Sequence, residues 1–266
     1  RDKLVTGVQT CALPISLLHA FGWALDDWRR LACGTLAGHL LECGSQVTGG
    51  YFADPGVKDV AGLDTLGYPI AEIDAEGGLV ITKPDGTGGR VDRRTVSEQL
   101  LYEIHDPAAY LTPDVVLDIT EVELAEIGPD RVRVTGARGK PRPETLKATV
   151  CIDSGLLAEA EISYAGPNAA ARARLAIDTI RSRMARRAPT LKTRADAVGL
   201  MSIHGDSDGV QLAGATQDAA DVRVRFAAEA MDREPLELLN LEVEGLYCAG
   251  PAGGGGVRTQ IGRAHV

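Results

Sequence analysis

The stretch Gly38-His39-Leu40-Leu41-Glu42-Cys43-Gly44-Ser45-Gln46-Val47-Thr48-Gly49-Gly50 joins the end of an amphipathic segment to a small, polar, glycine-rich loop. Upstream, Asp26 or Asp27 can cap a helix running to about Cys43, with Leu31, Thr35, Gly38 and Leu41 recurring at helical spacing. Gly44 suits a left-handed helix end. His39 lies three residues from Glu42 and four from Cys43, so the three share one face at the helix C-terminus. They form the candidate catalytic set: base, orienting carboxylate and nucleophile. The negative end of a helix favours a protonated imidazole and disfavours a thiolate, so His39 suits acid–base work better than Cys43 suits attack. The plainer alternative is a satisfied core imidazole beside a small buried thiol.

Downstream, a strand over 78–82 delivers Lys83 and a second glycine loop, Gly86-Thr87-Gly88-Gly89. Closely spaced glycines let backbone N–H groups approach an anion, and Lys83 adds positive charge. Gln46, Thr48, Lys83, Thr87, Gly88 and Gly89 are therefore the candidate substrate-binding residues, with a tight turn and an exposed lysine as the structural alternative. The lysine precedes the glycines, which is the wrong order for a P-loop, and GxGxxG is absent. The spacing of His39 and Cys43 fits neither a zincin helix nor paired CxxC ligands, so no metal site is expected. Asp206 and Asp208, between Gly205 and Gly209, lack the ligand series of a calcium loop and read as a solvated turn.

Working outward, residues 95–98 read as a capping box that opens a helix through Tyr102 and Ile104, stopped at Asp106-Pro107. A strand is expected over 115–119, then a hairpin of 121–127 with 131–135 around Gly128-Pro129-Asp130. Residues 136–143 form a polar Gly/Pro stretch. Strands are expected over 146–152 and 157–164, a helix over 169–186 with Leu175, Ile177 and Ile180 on its apolar side, strands over 197–203 and 222–228, and a helix over 233–247. This order predicts an α/β (α+β) protein: a mixed α/β region followed by a ferredoxin-like two-layer sandwich lacking its last strand. Residues 253–256 read as a flexible connector.

Both ends look foreign. One permitted DNA coding of residues 8–15 has a reverse complement that encodes residues 261–266. One oligonucleotide read in opposite directions thus accounts for both ends, which resemble a translated sequencing-library adapter. The expected organisation is 1–16 and 261–266 as non-native tails, 17–144 as the mixed region with the glycine loops, 145–250 as the ferredoxin-like region and 251–260 as a Gly-rich connector. Both native termini of such a fragment lie elsewhere.

The net charge is −9, and without Arg1, Asp2, Lys3 and Arg263, together +2, it falls to −11. That acidity argues against nucleic acid as a partner. No apolar run is long enough to span a bilayer, so no membrane partner is expected. Beyond Cys11, the cysteines Cys33, Cys43, Cys151 and Cys248 are widely spaced, which fits reduced thiols in the cytoplasm. The arginines between Arg172 and Arg187 read as a solvated helix face, with subunit or CoA contact as the sharper alternative.

The run Gly38-His39-Leu40-Leu41-Glu42-Cys43-Gly44 with Gln46 and Thr48-Gly49-Gly50 resembles the acyclic terpene utilisation (AtuA-type) family. The likeness continues through Gly67-Tyr68-Pro69-Ile70-Ala71-Glu72, Thr82-Lys83-Pro84 with Gly86-Thr87-Gly88-Gly89, and Glu98-Gln99-Leu100-Leu101-Tyr102-Glu103-Ile104. It ends at Gly250-Pro251-Ala252-Gly253-Gly254-Gly255-Gly256. The resemblance implies a place in bacterial breakdown of acyclic terpenoids such as citronellol and geraniol, through CoA thioesters. It supplies no catalytic residues. The expected function is an enzyme of terpenoid or branched acyl-CoA catabolism doing acid–base chemistry on an acyl thioester or carboxylate, with His39 moving a proton and Lys83 and the Gly88 and Gly89 amides holding a negative oxygen. The alternative is a non-catalytic binding or assembly subunit of an acyl-CoA-processing complex. Expected partners are a small-molecule substrate such as a CoA thioester and either a second copy or an acyl-CoA-processing protein; no cofactor is assigned.

Overall fold

The computed structural model describes residues 12–146, 148, 150–206, 208–216 and 218–264. It divides into two compact units, Arg1–Thr149 and Val150–Val266. Of the expected foreign tails, 1–11 and 265–266 lie outside the described residues; so do Lys147 and Thr149 of the strand expected over 146–152, and Ser207 of the acidic turn. The described residues of 146–152 form no strand. No described helix is long and apolar enough to cross a membrane.

The first unit is built on helix α2 (Trp28–Glu42), preceded by α1 (Ala12–Phe21), which includes described residues of the expected N-terminal tail. The Asp27 carboxylate caps α2, accepting from the Arg30 amide at 3.1 Å. The helix is buried nearly all round: residues 31–40 are buried except Cys33, so Thr35 and His39 are interior rather than part of a polar face. Small residues let neighbours approach. A Cβ on Gly34 would stand 3.2 Å from Pro14 Cα.

Strands β1 (Ile70–Ile73) and β2 (Leu79–Thr82) precede helix α3 (Arg93–Leu101). Then come β3 (Tyr110–Leu111), β4 (Val116–Asp118), the hairpin β5 (Glu123–Gly128) and β6 (Arg131–Thr135), and β7 (Arg138–Lys140). They form two antiparallel sheets, ordered β1-β2-β6-β5 and β3-β4-β7. Leu31, Leu36 and Leu40 of α2 share a core with Leu79, Ile81, Val96, Leu117, Val132 and Val134.

Three expectations change in this unit. The α3 cap is Asp92, not Thr95: its carboxylate accepts from the Arg94 and Thr95 amides, and Thr95 Oγ1 accepts in return from the Asp92 amide. The helix also stops before Tyr102, where the backbone turns extended and Glu103 takes φ 57°. The polar stretch 136–143 contains β7, which packs so tightly on α2 that a Cβ on Gly139 would stand 1.9 Å from Trp28 O.

The second unit runs β8 (Leu156–Ala165), α4 (Ala169–Arg187), β9 (Thr193–Val198), α5 (Val210–Gly214), β10 (Asp221–Ala230), α6 (Glu234–Glu244), α7 (Leu246–Ala249) and β11 (Gly254–Arg263). The antiparallel sheet is ordered β11-β8-β10-β9. Alternate residues of β8 and β10, among them Ile162, Tyr164, Val224 and Phe226, are buried with Ile177, Ile180 and Met184 of α4 and Leu236, Leu239 and Val243 of α6. Leu175 is exposed instead of joining that apolar side, where alanines at 169, 170, 173 and 176 bring the helix close.

The strand expected over 197–203 lies earlier in the chain, because Gly199, at φ 105°, turns it away. The expected connector over 251–260 is instead mostly strand: from Gly254 the glycine run pairs with β8, with a bulge between Gly255 and Arg258. Residues 261–263, expected as foreign, complete that strand. Backbone pairing accounts for this, since a sheet ladder asks for N–H and C=O groups rather than particular side chains.

Candidate functional site

The two glycine loops meet backbone to backbone. The Arg90 amide donates to Thr48 O at 2.9 Å, and a Cβ on Gly89, at φ 88°, would stand 2.5 Å from the same oxygen. The Gly88 amide donates to Thr65 O at 2.9 Å and the Gly89 amide to Ala61 O at 2.8 Å, while Gly88 O accepts from Gly67 at 3.2 Å. The amides expected to hold an anion are therefore committed to the chain itself. Gly88 has no room for a side chain, since a Cβ there would stand 2.0 Å from Gly62 O.

Lys83 closes the clasp. Its side chain is 6% exposed, with Nζ 3.2 Å from Asp130 Oδ2 and donating to Thr87 O at 2.9 Å. Asp130 sits in the β5–β6 turn at φ 52°, and its other oxygen accepts from the Val91 amide at 2.8 Å. One buried ammonium thus ties the second loop to the hairpin. Thr87 Oγ1 donates to Pro84 O at 2.7 Å. Thr48, also buried, has Oγ1 2.7 Å from Gly67 O and 3.0 Å from Ser45 O. Gln46 is half-buried, and its Nε2 has no hydrogen-bond partner among the described residues.

His39 lies near the C-terminal end of α2. It is 1% exposed. Nε2 lies 3.3 Å from Leu100 O, and the ring is tilted against Tyr110 at 5.6 Å between centroids. Nδ1 lies 3.3 Å from Glu42 Oε1, so the two side chains share one face as the helical spacing predicts. Gln99 fixes the same junction, donating from Nε2 to His39 O at 2.9 Å. Cys43 is half-exposed at the helix end.

Over that helix end the surface is aromatic. A Cβ on Gly44 would stand 3.1 Å from the Tyr68 ring, and Cys43 and Tyr51 both lie within electrostatic reach of Tyr102. The Tyr102 phenol is pushed up, mostly by the Glu103 carboxylate. Tyr51 and Tyr68 are 76% and 73% exposed. The spacing of these tyrosines in the chain has no period, so only the fold reveals them.

A separate cleft of about 360 Å³ is lined by Arg29, Cys33, Leu36, Gly77, Leu79 and Val134. Burial pushes the Cys33 thiol up, against a smaller opposing effect of Arg29. Among the described residues no group of three or more His, Cys, Asp or Glu side chains is placed to hold a metal ion.

Fold and site define a protein of two α+β units, the first of which carries the interlocked glycine loops and the His39–Glu42 pair. Over residues 12–266 the chain matches the family described as acyclic terpene utilisation family protein AtuA, and it belongs to that family. Membership implies a part in acyclic terpene utilisation. No curated protein and no solved structure matches it.

Proposed function

We propose that the chain serves acyclic terpenoid catabolism as a non-catalytic binding or assembly subunit of an acyl-CoA-processing complex. One observation carries this reading: the groups a catalyst would present at the glycine loops are committed inside the fold. The Gly88 and Gly89 amides, the Lys83 ammonium and the Thr48 hydroxyl all have partners within the first unit. The outward-facing chemistry is that of Tyr51, Tyr68 and Tyr102 around Cys43. Tyrosine offers a large apolar ring with a polar tip at small conformational cost, which suits a protein contact. In this reading the complex handles the CoA thioesters of the citronellol and geraniol routes in the cytoplasm, where Cys33, Cys43, Cys151 and Cys248 stay reduced.

A second reading rests on the His39–Glu42 pair, an imidazole with an orienting carboxylate 3.3 Å away. It is acid–base catalysis on an acyl thioester or carboxylate by His39. The two separate when the full-length protein is incubated with a panel of terpenoyl-CoA thioesters and the products are read by mass spectrometry. No conversion, with co-purification of an acyl-CoA-processing enzyme that Tyr68→Ala abolishes, supports the subunit. Conversion that His39→Gln removes overturns it in favour of the enzyme.

A further inference from the structure

Arg29, Cys33 and Leu36 recur at helical spacing on one face of α2, and together they form one wall of the 360 Å³ cleft in the first unit. The turn at Gly77, Leu79 of β2 and Val134 of β6 complete it. Its volume lies at the small end of the range for ligand sites, about 300–1,000 Å³. None of its lining residues belongs to the glycine loops, the His39–Glu42 pair, the tyrosine surface or the end segments that look foreign.

The walls are apolar. Leu36, Leu79 and Val134 belong to the core of the unit. Cys33 is half-buried, and burial pushes its thiol up, so it stays protonated and behaves as a small apolar group. Gly77 keeps the cleft open over that thiol. Its φ of 89° favours glycine, and a side chain there would begin 3.4 Å from Cys33 Sγ.

The rim is preformed and carries a cation. Asp74 Oδ1 accepts from the Glu76 and Gly78 amides at 3.0 and 2.7 Å, and Ala75 O accepts from Trp23 Nε1 at 2.9 Å, so the turn is pinned from both sides. Arg29 Nη1 donates to Glu76 O at 3.0 Å, and its guanidinium forms no ion pair among the described residues. Arg30, its neighbour, is held by Asp27 at 3.1 Å. One backbone acceptor thus positions Arg29 without neutralising it, and of its five N–H groups several remain. Of the nearby carboxylates, Asp27 is engaged by Arg30 and Asp74 by the turn amides. Glu76 lines the cleft and opposes an anion there.

We propose that this cleft binds a medium-chain aliphatic carboxylate, its chain against Leu36, Leu79 and Val134 and its head group on the Arg29 guanidinium. Apolar walls take a hydrocarbon body, and the planar fork of a guanidinium matches the two oxygens of a carboxylate. The site is independent of the proposed subunit role, which rests on the glycine loops and the tyrosine surface, so either can fail without the other.

The test is calorimetric titration of the whole chain with octanoate and, separately, octanol, the uncharged molecule of the same length. Labelling of Cys33 by iodoacetamide, followed by peptide mapping, reports where the ligand sits. The expected result is saturable binding of octanoate, tighter than that of octanol. With octanoate at about ten times its Kd, Cys33 is labelled about tenfold more slowly, because only the unliganded fraction reacts, while the exposed Cys151 and Cys248 are labelled at an unchanged rate. Arg29 is exposed, so Arg29→Gln leaves the packing intact. It raises the octanoate Kd about tenfold, the effect of losing one charge-assisted hydrogen bond, and changes the octanol Kd less than about twofold. Glu76→Gln lowers the octanoate Kd by removing the opposing charge. Absence of saturable octanoate binding, octanol binding as tight as octanoate, Cys33 labelling unaffected by bound octanoate, or an unchanged octanoate Kd in Arg29→Gln overturns the site.

Discussion

Replacing Asp130 with Ala removes the carboxylate that holds Lys83. At 3.2 Å the pair attracts by about 5 kcal/mol before screening, at an effective dielectric of about 20. The Asp130 side chain is 38% exposed, so water takes a large share of that. The Val91 amide also loses its acceptor, which costs about 1 kcal/mol more. The net expectation is a loss of about 3 kcal/mol, because the ammonium left behind is buried. Both tryptophans, Trp23 and Trp28, lie in the first unit, so their fluorescence in a urea titration follows the right part of the chain. With a slope of about 2 kcal/mol per molar urea, the midpoint falls by about 1.5 M. Asp130→Asn keeps an acceptor for Val91 and loses about 1 kcal/mol less. Adding Lys83→Met to Asp130→Ala recovers part of the loss, since the uncompensated charge is gone. A midpoint for Asp130→Ala within error of the parent refutes the reasoning and leaves the Lys83 ammonium available to a ligand.

Gly88→Ala drives a methyl into Gly62 O and is expected to cost about 3 kcal/mol in the same titration. The Thr120 hydroxyl and amide, with smaller help from Arg138 and Lys140, hold the Asp118 carboxyl below its ordinary value of 3.8. A carboxyl lowered in the folded state stabilises above its unfolded value and loses that contribution as pH falls through the folded one. Asp118→Asn therefore flattens the loss of stability below about pH 4, read by fluorescence against pH. Burial pushes the Cys33 thiol above its ordinary 9.0, whereas Cys151 and Cys248 are exposed. At pH 8 iodoacetamide should label Cys33 about tenfold more slowly than those two, by peptide mapping.

Local signals carried much of the fold. Asp27 capping α2, the hairpin punctuation at Gly128-Pro129-Asp130 and the alternation in β8 and β10 are short-range chemistry, visible in the chain itself. The misplacements came from tertiary contacts. The run at 253–256 reads as a linker because glycine lacks side-chain information, yet β8 supplies it with a backbone partner. The segment 138–140 is polar, but its small Gly139 lets it lie against α2. At the site, helical spacing placed His39 and Glu42 together correctly. That the Gly88 and Gly89 amides already have acceptors was hidden, because those acceptors, Thr65 O and Ala61 O, are backbone atoms in an irregular loop. Asp130 read only as a turn residue, and nothing in its neighbourhood along the chain announces Lys83 as its partner.

Amide hydrogen exchange at Gly88 and Gly89, followed by NMR on the native chain, tests the interlocked loops most directly. If the two amides donate to Thr65 O and Ala61 O inside a packed unit, both should exchange at least about a thousandfold more slowly than unstructured peptide. Exchange of both at the peptide rate would contradict the account: the amides would then be free in solution and open to an anion after all.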